Sequence, residues 1–294
     1  MYYRRRILLS LLQVFEGSLE KISLQKLLFL LSEKQAVKSY HFVPFKFGCY
    51  SFQANADLQT LEKYGSVEES DTAWAKQDAI DYLGTLKIAD RAAIQLVKNK
   101  YGAFTKDELI LLTYKTYPYY AINSTIASSI LEREELEKVR KQKPVVNEMV
   151  LFTIGYEGLS LEQYLNKLIL KDVKVLCDVR KNSFSMKYGF SKSQLKKACE
   201  EVGIKFVHLP EVGIESKNRQ NLSSQSDYDN LFAFYKMGVL RSEIEKQKEI
   251  LQLLKDYKRI AITCFEANIN QCHRKHLAES ISELDGFAYK IIHI

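Results

Sequence analysis

Apolar residues recur at positions 7, 8, 11, 12 and 15 and again at 24, 27, 28, 30 and 31, spacings close to the helical period that predict two short helices early in the chain. An aromatic, partly alternating stretch follows from Tyr40 to Phe52 and reads as β-rich. Later helices are predicted over 58–64, 88–100, 105–115 and 123–140, the last with Asn123 and Ser124 available as caps. Charged residues then run into Pro144, and at Met149 the pattern changes to short apolar runs. This change sets a boundary between residues 1–148, a mainly helical module of winged-helix type, and residues 149–294.

In the second half, the runs 151–154, 173–179, 205–209, 259–265 and 289–294 are β-branched or apolar and read as strands. Helical segments lie between them at 160–170, 191–202, 227–255 and 273–284. Ser160 with Gln163, and Ser191 with Gln194, have the spacing of capping boxes. Strand and helix in strict alternation predict a Rossmann-like α/β domain, a parallel sheet covered on both faces with right-handed crossovers.

Composition narrows the function classes. The chain has 294 residues, 46% hydrophobic and 27% charged, which excludes collagenous, low-complexity and disordered classes. Lysine and arginine exceed acidic residues by 43 − 36 = 7, a moderately basic balance that permits a polyanionic partner without requiring one. Arg4, Arg5 and Arg6 either contact phosphate or form a solvated helix start. No apolar run is long enough for a membrane span, and the early apolar segment lacks a small-residue cleavage site, so a cytoplasmic location is expected. The 5 cysteines are scattered and odd in number, unlike a disulfide framework. No CxxC occurs, and adjacent Cys272 and His273 would strain a tetrahedral ion, so no metal and no cofactor is expected.

In an open α/β sheet, ligands bind beyond the carboxyl ends of the strands. Gly155-Tyr156-Glu157-Gly158, Asp178-Val179-Arg180, His208-Leu209-Pro210 and Cys264-Phe265-Glu266 follow the first four predicted strands, and Cys272-His273-Arg274 opens the last helix. In that order, with Gly189-Phe190-Ser191-Lys192, these motifs resemble the domain-of-unknown-function family 488 over about residues 151–294. The resemblance implies a Rossmann-like fold and a pocket, but no reaction. Asn182 stands where many members have Pro near the second-strand loop. In the first half, Ile22 to Leu31 with Phe45 to Tyr50 resembles the opening of Panacea antitoxin-like domains, with Cys49 where these often carry Pro.

The candidate catalytic residues are Asp178, Glu266, Cys264, Cys272 and His273, and the candidate substrate-binding residues are Gly155, Tyr156, Arg180, His208, Arg274, Lys192 and Lys196. Asp178 and Arg180 share one side of a strand end, where they either pair with each other or leave the guanidinium to hold a phosphate or carboxylate. Arg274 is expected to hold an anionic group too. Cys264 and Glu266 face one way, a small core thiol or a thiol beside a general base. Either Glu266 or Asp178 serves as acid/base, and either Cys264 or Cys272 as nucleophile, the latter at a helix start that would lower its pKa. His208 is an acid/base or a satisfied strand-end histidine.

Between Lys171 and Lys205, nine basic residues face four acidic ones, with Phe184, Tyr188 and Phe190 interleaved. Such a segment is either a solvated helix after a loop or a surface for a nucleic-acid backbone with an unstacked base. Two functions follow. One is an enzyme acting on nucleic acid or a nucleotide-derived substrate. The other is a non-catalytic sensor of a nucleotide or modified base, of phage-defence or toxin–antitoxin type.

Overall fold

The computed structural model describes residues 1–219 and 222–294, and the chain divides into two compact units, Met1–Lys143 and Pro144–Ile294. Among the described residues no helix is long and apolar enough to cross a membrane.

The first unit is mostly helical. Its order is α1 (Tyr3–Val14), β1 (Ser18–Glu20), α2 (Lys21–Ser32), β2 (Val43–Phe45), β3 (Gly48–Tyr50), α3 (Phe52–Lys63), β4 (Val67–Glu69), β5 (Ala73–Lys76), α4 (Ile88–Tyr101), α5 (Lys106–Thr116), α6 (Ala127–Ile130) and α7 (Arg133–Gln142). The apolar stripes of α1 and α2 meet α3 and α4 in one core that includes Leu8, Leu11, Leu27, Phe29, Leu58 and Ile94. β2 and β3 form a hairpin, while β1, β5 and β4 make a separate antiparallel sheet in that spatial order. Arg4 and Arg5 both bind buried Asp57, at 2.6 and 2.7 Å, and tie α1 to α3, so this helix start is not simply solvated. Lys26 is buried under the β2–β3 turn and donates to the carbonyls of Phe47 and Cys49, and burial lowers its pKa. Gly48 in that turn has φ +92°, and a Cβ there would come within 2.5 Å of Tyr114. The helix predicted over 123–140 is broken into α6 and α7. Ser124 bonds Tyr114 and Asn123 bonds the Pro44 carbonyl, so neither opens a helix.

The second unit is a doubly covered parallel sheet. Its order is β6 (Val150–Gly155), α8 (Leu161–Leu170), β7 (Val175–Asp178), α9 (Lys192–Glu201), β8 (Lys205–His208), α10 (Gln225–Met237), α11 (Val239–Ser242), α12 (Ile244–Tyr257), β9 (Arg259–Cys264), α13 (His273–Ser282) and β10 (Lys290–His293). All neighbours are parallel, and the spatial order is β10-β6-β9-β7-β8. β6, β7 and β9 are buried along their whole length, which explains their continuous apolar runs. Val175, Cys177, Ile260 and Ile262 face the core under α10 to α13. On the opposite parity, Thr263 accepts a 2.7 Å hydrogen bond from Tyr164 of α8. The Ser160–Gln163 capping box forms as predicted. The helix predicted over 227–255 is three helices instead, interrupted at Gly238 and Glu243, with Gly238 closing α10 at φ −97°, ψ −89°.

Because this unit has its own core and its own complete sheet, residues 144–294 expressed alone should unfold in one cooperative denaturant transition. A gradual, non-cooperative loss of ellipticity would show that its core depends on the rest of the chain.

Candidate functional site

The register sets the site. Gly155 lies opposite Cys264, and Asp178 lies between Thr263 and His208, so β6, β7, β8 and β9 end at one edge of the sheet. The candidate residues after these strands gather there, but they face in different directions.

Asp178 and Arg180 face each other. Arg180 Nε donates to Asp178 Oδ1 at 2.7 Å and Nη2 to Oδ2 at 2.6 Å, while Nη1 donates to the Tyr156 hydroxyl and the Phe190 carbonyl, both at 2.8 Å. Asp178 is fully buried and Arg180 is 5% exposed. Burial opposes the charge on Arg180, but hydrogen bonds and attraction from Asp178 outweigh it and hold the pKa above its ordinary value. Of the alternatives read from the sequence for these two residues, the structure shows the closed pair, with Arg180 still among the residues lining the cavity described below. The carboxylate has its countercharge, and the guanidinium fork is engaged from three directions. Tyr156 is likewise structural in part, stacked on Phe190 with centroids 4.3 Å apart.

Arg274 is also turned inward. It is 2% exposed and donates to the carbonyls of Glu266, at 2.5 Å, and Ala267, at 3.2 Å. It holds the loop carrying Glu266 and does not present a fork to an anion. Gly155 serves the same loop. A Cβ on Gly155 would lie 1.9 Å from the Glu266 carbonyl oxygen, so only glycine admits this approach. The amides of Tyr156 and Glu157 then bond the Phe265 carbonyl, at 3.0 and 2.9 Å. The role expected for Gly155 against a ligand is taken by protein backbone.

Glu266, Cys264 and His273 come together. Cys264 Sγ lies 3.2 Å from Glu266 Oε2, to which it donates, and 3.5 Å from His273 Nδ1. His273 Nε2 is 3.2 Å from the Val179 carbonyl. A carbonyl only accepts, so the neutral ring carries its hydrogen on Nε2 and turns Nδ1 toward the thiol. Cys272 is the N-cap of α13 with extended backbone, φ −130° and ψ 132°, whereas His273 is already helical. That change of direction lets two adjacent side chains converge, and the donor atoms of Cys264, Cys272 and His273 all lie within 4.8 Å of one another. The expectation that strain would keep Cys272 and His273 from one centre is overturned. So is the lowered thiol pKa expected at the helix start, since burial, with Cys264 and Glu266 close by, pushes the Cys272 thiol well up.

Above this group lies a cavity of about 330 Å³, lined by Tyr156, Arg180, Asn182, Phe184, Ser185, Met186, Ile214, Cys264, Phe265 and His273. Phe184, Met186 and Phe265 on its rim are exposed. It meets a larger depression of about 890 Å³ at Ile214, whose walls carry Glu211, Glu215, Asp227 and Glu243 against Lys181 and Lys217.

The remaining candidates lie elsewhere. His208 is half-buried, with Nε2 3.1 Å from the Arg180 carbonyl, and supports the β7 exit without lining the cavity. Lys192 and Lys196 are exposed on α9, the latter 3.9 Å from Glu200. The basic segment does not form one surface. Lys174 precedes β7 and Lys205 opens β8, at the sheet edge opposite the cavity, and Phe190 is fully buried. The expected capping box at Ser191 does not form. Ser191 bonds Ser185, and Gln194 accepts from the Gly189 amide, fastening the rim loop. Sequence reasoning missed Gly213, where a Cβ would lie 2.4 Å from the Lys181 amide, and the rim residues Phe184 and Met186, apolar side chains in a segment without period.

Comparison with known families decides the affiliation of this unit. Residues 160–281 match the family model described as domain of unknown function DUF488. The C-terminal half carries a DUF488 domain. The match runs from α8 to α13 and takes in Asp178, Arg180, Cys264, Glu266 and Cys272 to Arg274, while β6 and β10 of the sheet lie outside it. No curated protein matches the chain.

Two substitutions test this geometry of the DUF488 domain. Asp178→Asn removes the countercharge of a buried guanidinium and should destabilise the domain by about 3–5 kcal/mol in denaturant titration. A loss below 1 kcal/mol would show that Arg180 finds water or another acceptor. Gly155→Ala should force the Glu266 loop outward, visible as faster amide exchange at Tyr156 and Glu157 with the rest of the sheet protected. Unchanged exchange at those two amides would contradict the close approach.

Proposed function

We propose that the DUF488 domain is an enzyme acting on nucleic acid or a nucleotide-derived substrate, with its chemistry at Cys264, His273 and Glu266. The single observation that carries this reading is the convergence of thiol, imidazole Nδ1 and carboxylate beneath a cavity at the carboxyl edge of a parallel sheet. Of the two candidate carboxylates Asp178 is fully buried and paired while Glu266 is half-buried beside the Cys264 thiol, so the proton-moving role goes to Glu266. Of the two candidate thiols only Cys264 lines the cavity.

Support for the substrate class comes from the rim. Phe184 and Phe265 offer exposed ring faces, and a planar base stacks on such faces whatever its hydrogen-bonding edge. A cavity of about 330 Å³ suits a nucleobase or a nucleoside better than a longer oligomer. The adjoining depression, with four acidic and two basic residues on its walls, would repel a phosphate backbone.

The first unit fits a winged-helix reading. Helix, strand, two helices and a hairpin follow in the order α1, β1, α2, α3, β4 and β5, with the β2–β3 hairpin inserted between α2 and α3, and β1 pairs with β5. The β4–β5 hairpin, the wing of this arrangement, carries Glu68 and Glu69 on β4 and Asp71 in its turn, with Glu69 paired to Lys21. Three carboxylates disfavour a phosphate backbone and favour a basic protein surface as its partner.

Purified protein incubated with DNA, RNA and nucleotide pools should alter one of them, read as a mass change. Glu266→Gln should abolish product while a nucleotide that quenches tyrosine fluorescence still binds, and Phe184→Ala should weaken that binding about tenfold, the scale of one lost stacking contact. Binding that is unaffected by Glu266→Gln, with no product from the wild-type protein in any pool, would make the domain a sensor.

A further inference from the structure

We propose that Cys264, Cys272 and His273 form a binding site for a zinc-class divalent ion, with its fourth coordination position turned toward the cavity. The inference concerns the same centre as the functional reading above, but it rests on donor geometry and holds for any substrate.

Three donors of the right type converge. Two thiols and an imidazole are a ligand set that zinc prefers, and their donor atoms all lie within 4.8 Å of one another. With zinc–sulfur bonds of about 2.3 Å and zinc–nitrogen bonds of about 2.0–2.1 Å, a tetrahedral ion sets its sulfur and nitrogen ligands about 3.5 Å apart. Cys264 Sγ and His273 Nδ1 stand 3.5 Å apart.

The imidazole is oriented as a ligand. Its Nε2–H is fixed by the Val179 carbonyl at 3.2 Å, which leaves Nδ1 as the nitrogen that faces the thiols. Metal-binding histidines are commonly held in this way by a backbone acceptor on the far nitrogen. The ligands also sit on rigid supports. Cys264 ends the central strand β9, and Cys272 and His273 open α13, whose Leu277 and Ile281 are packed in the core.

Three protein ligands leave one position open, the pattern of a catalytic metal site and not of a closed structural one. Cys264 and His273 line the cavity, whereas Cys272 does not, so the open position lies on the cavity side. Glu266, 3.2 Å from Cys264 Sγ, is the carboxylate near this centre that could take a proton from a water held by the ion. In this arrangement Cys264 is a ligand, and the thiol is withdrawn from nucleophilic chemistry.

The full chain, purified under reductant without chelator, should contain about one zinc per chain by plasma mass spectrometry. After removal of metal, cobalt(II) titration should give thiolate-to-cobalt charge-transfer bands and the intense visible bands of a tetrahedral site. Cys264→Ser, Cys272→Ser and His273→Ala should each weaken cobalt binding at least about 100-fold, because loss of a ligand costs at least as much as loss of an outer-shell partner. Cys199→Ala, which alters a buried thiol on α9, should bind as the wild type does, and cooperative unfolding of each variant shows that it is folded. Reduced wild-type protein that takes up no cobalt, or folded ligand variants that bind it unchanged, would overturn the proposal. Tight cobalt binding with no product from any nucleotide pool would support this site and count against the substrate reading. Turnover by protein that takes up no cobalt would do the reverse.

Discussion

A guanidinium that is 5% exposed must find both countercharge and acceptors within the fold, and Arg180 finds them at the ends of three chain segments. Asp178 closes β7, Tyr156 follows β6, and the Phe190 carbonyl ends the rim loop. One side chain thus fixes the relative positions of the elements around the cavity. The desolvation of such a pair is costly, and its return is fixed geometry more than net stability. The cavity floor is placed by the same constraint. Val179, between the paired residues, offers the carbonyl that orients His273.

A second set of contacts does for the β9 exit what Arg180 does for β7. Arg274 reaches back from α13 to two carbonyls of the Glu266–Ala267 segment, and Gly155 leaves room for that segment to lie against β6. Two cations and a missing side chain act as fasteners around the reactive groups. Cys264 and His273 are left lining the cavity, with Glu266 against the Cys264 thiol.

Much of this architecture is legible in the chain. Continuous apolar runs on β6, β7 and β9 mark strands buried on both faces, and the titratable residues that follow them fall at one edge because parallel strands share a direction. What the sequence does not carry is the direction of each side chain at that edge. Asp178 and Arg180 at i and i+2 are compatible with a ligand clamp or with a closed pair, and only the depth of burial decides for the pair. Adjacent Cys272 and His273 converge because the backbone changes from extended to helical between them, a boundary too fine for periodicity to place. The strands β1 and β4 of the first unit span three residues each, too few for an alternation to show.

Ser191 and Gln194 have the spacing of a helix cap, yet they serve the rim loop, and the loop answers in kind. The Ser183 carbonyl accepts from the Lys192 amide at 3.0 Å, the first amide of α9, while the Ser185 and Gly189 amides bond Ser191 and Gln194 at 3.1 Å each. Helix start and cavity rim hold each other's backbone groups. Neither can open alone without leaving donors of the other unmet, so they form one unit of local unfolding. Phe184 and Met186 lie in the segment held this way, so the shape of the cavity rim and the first turn of α9 are set together.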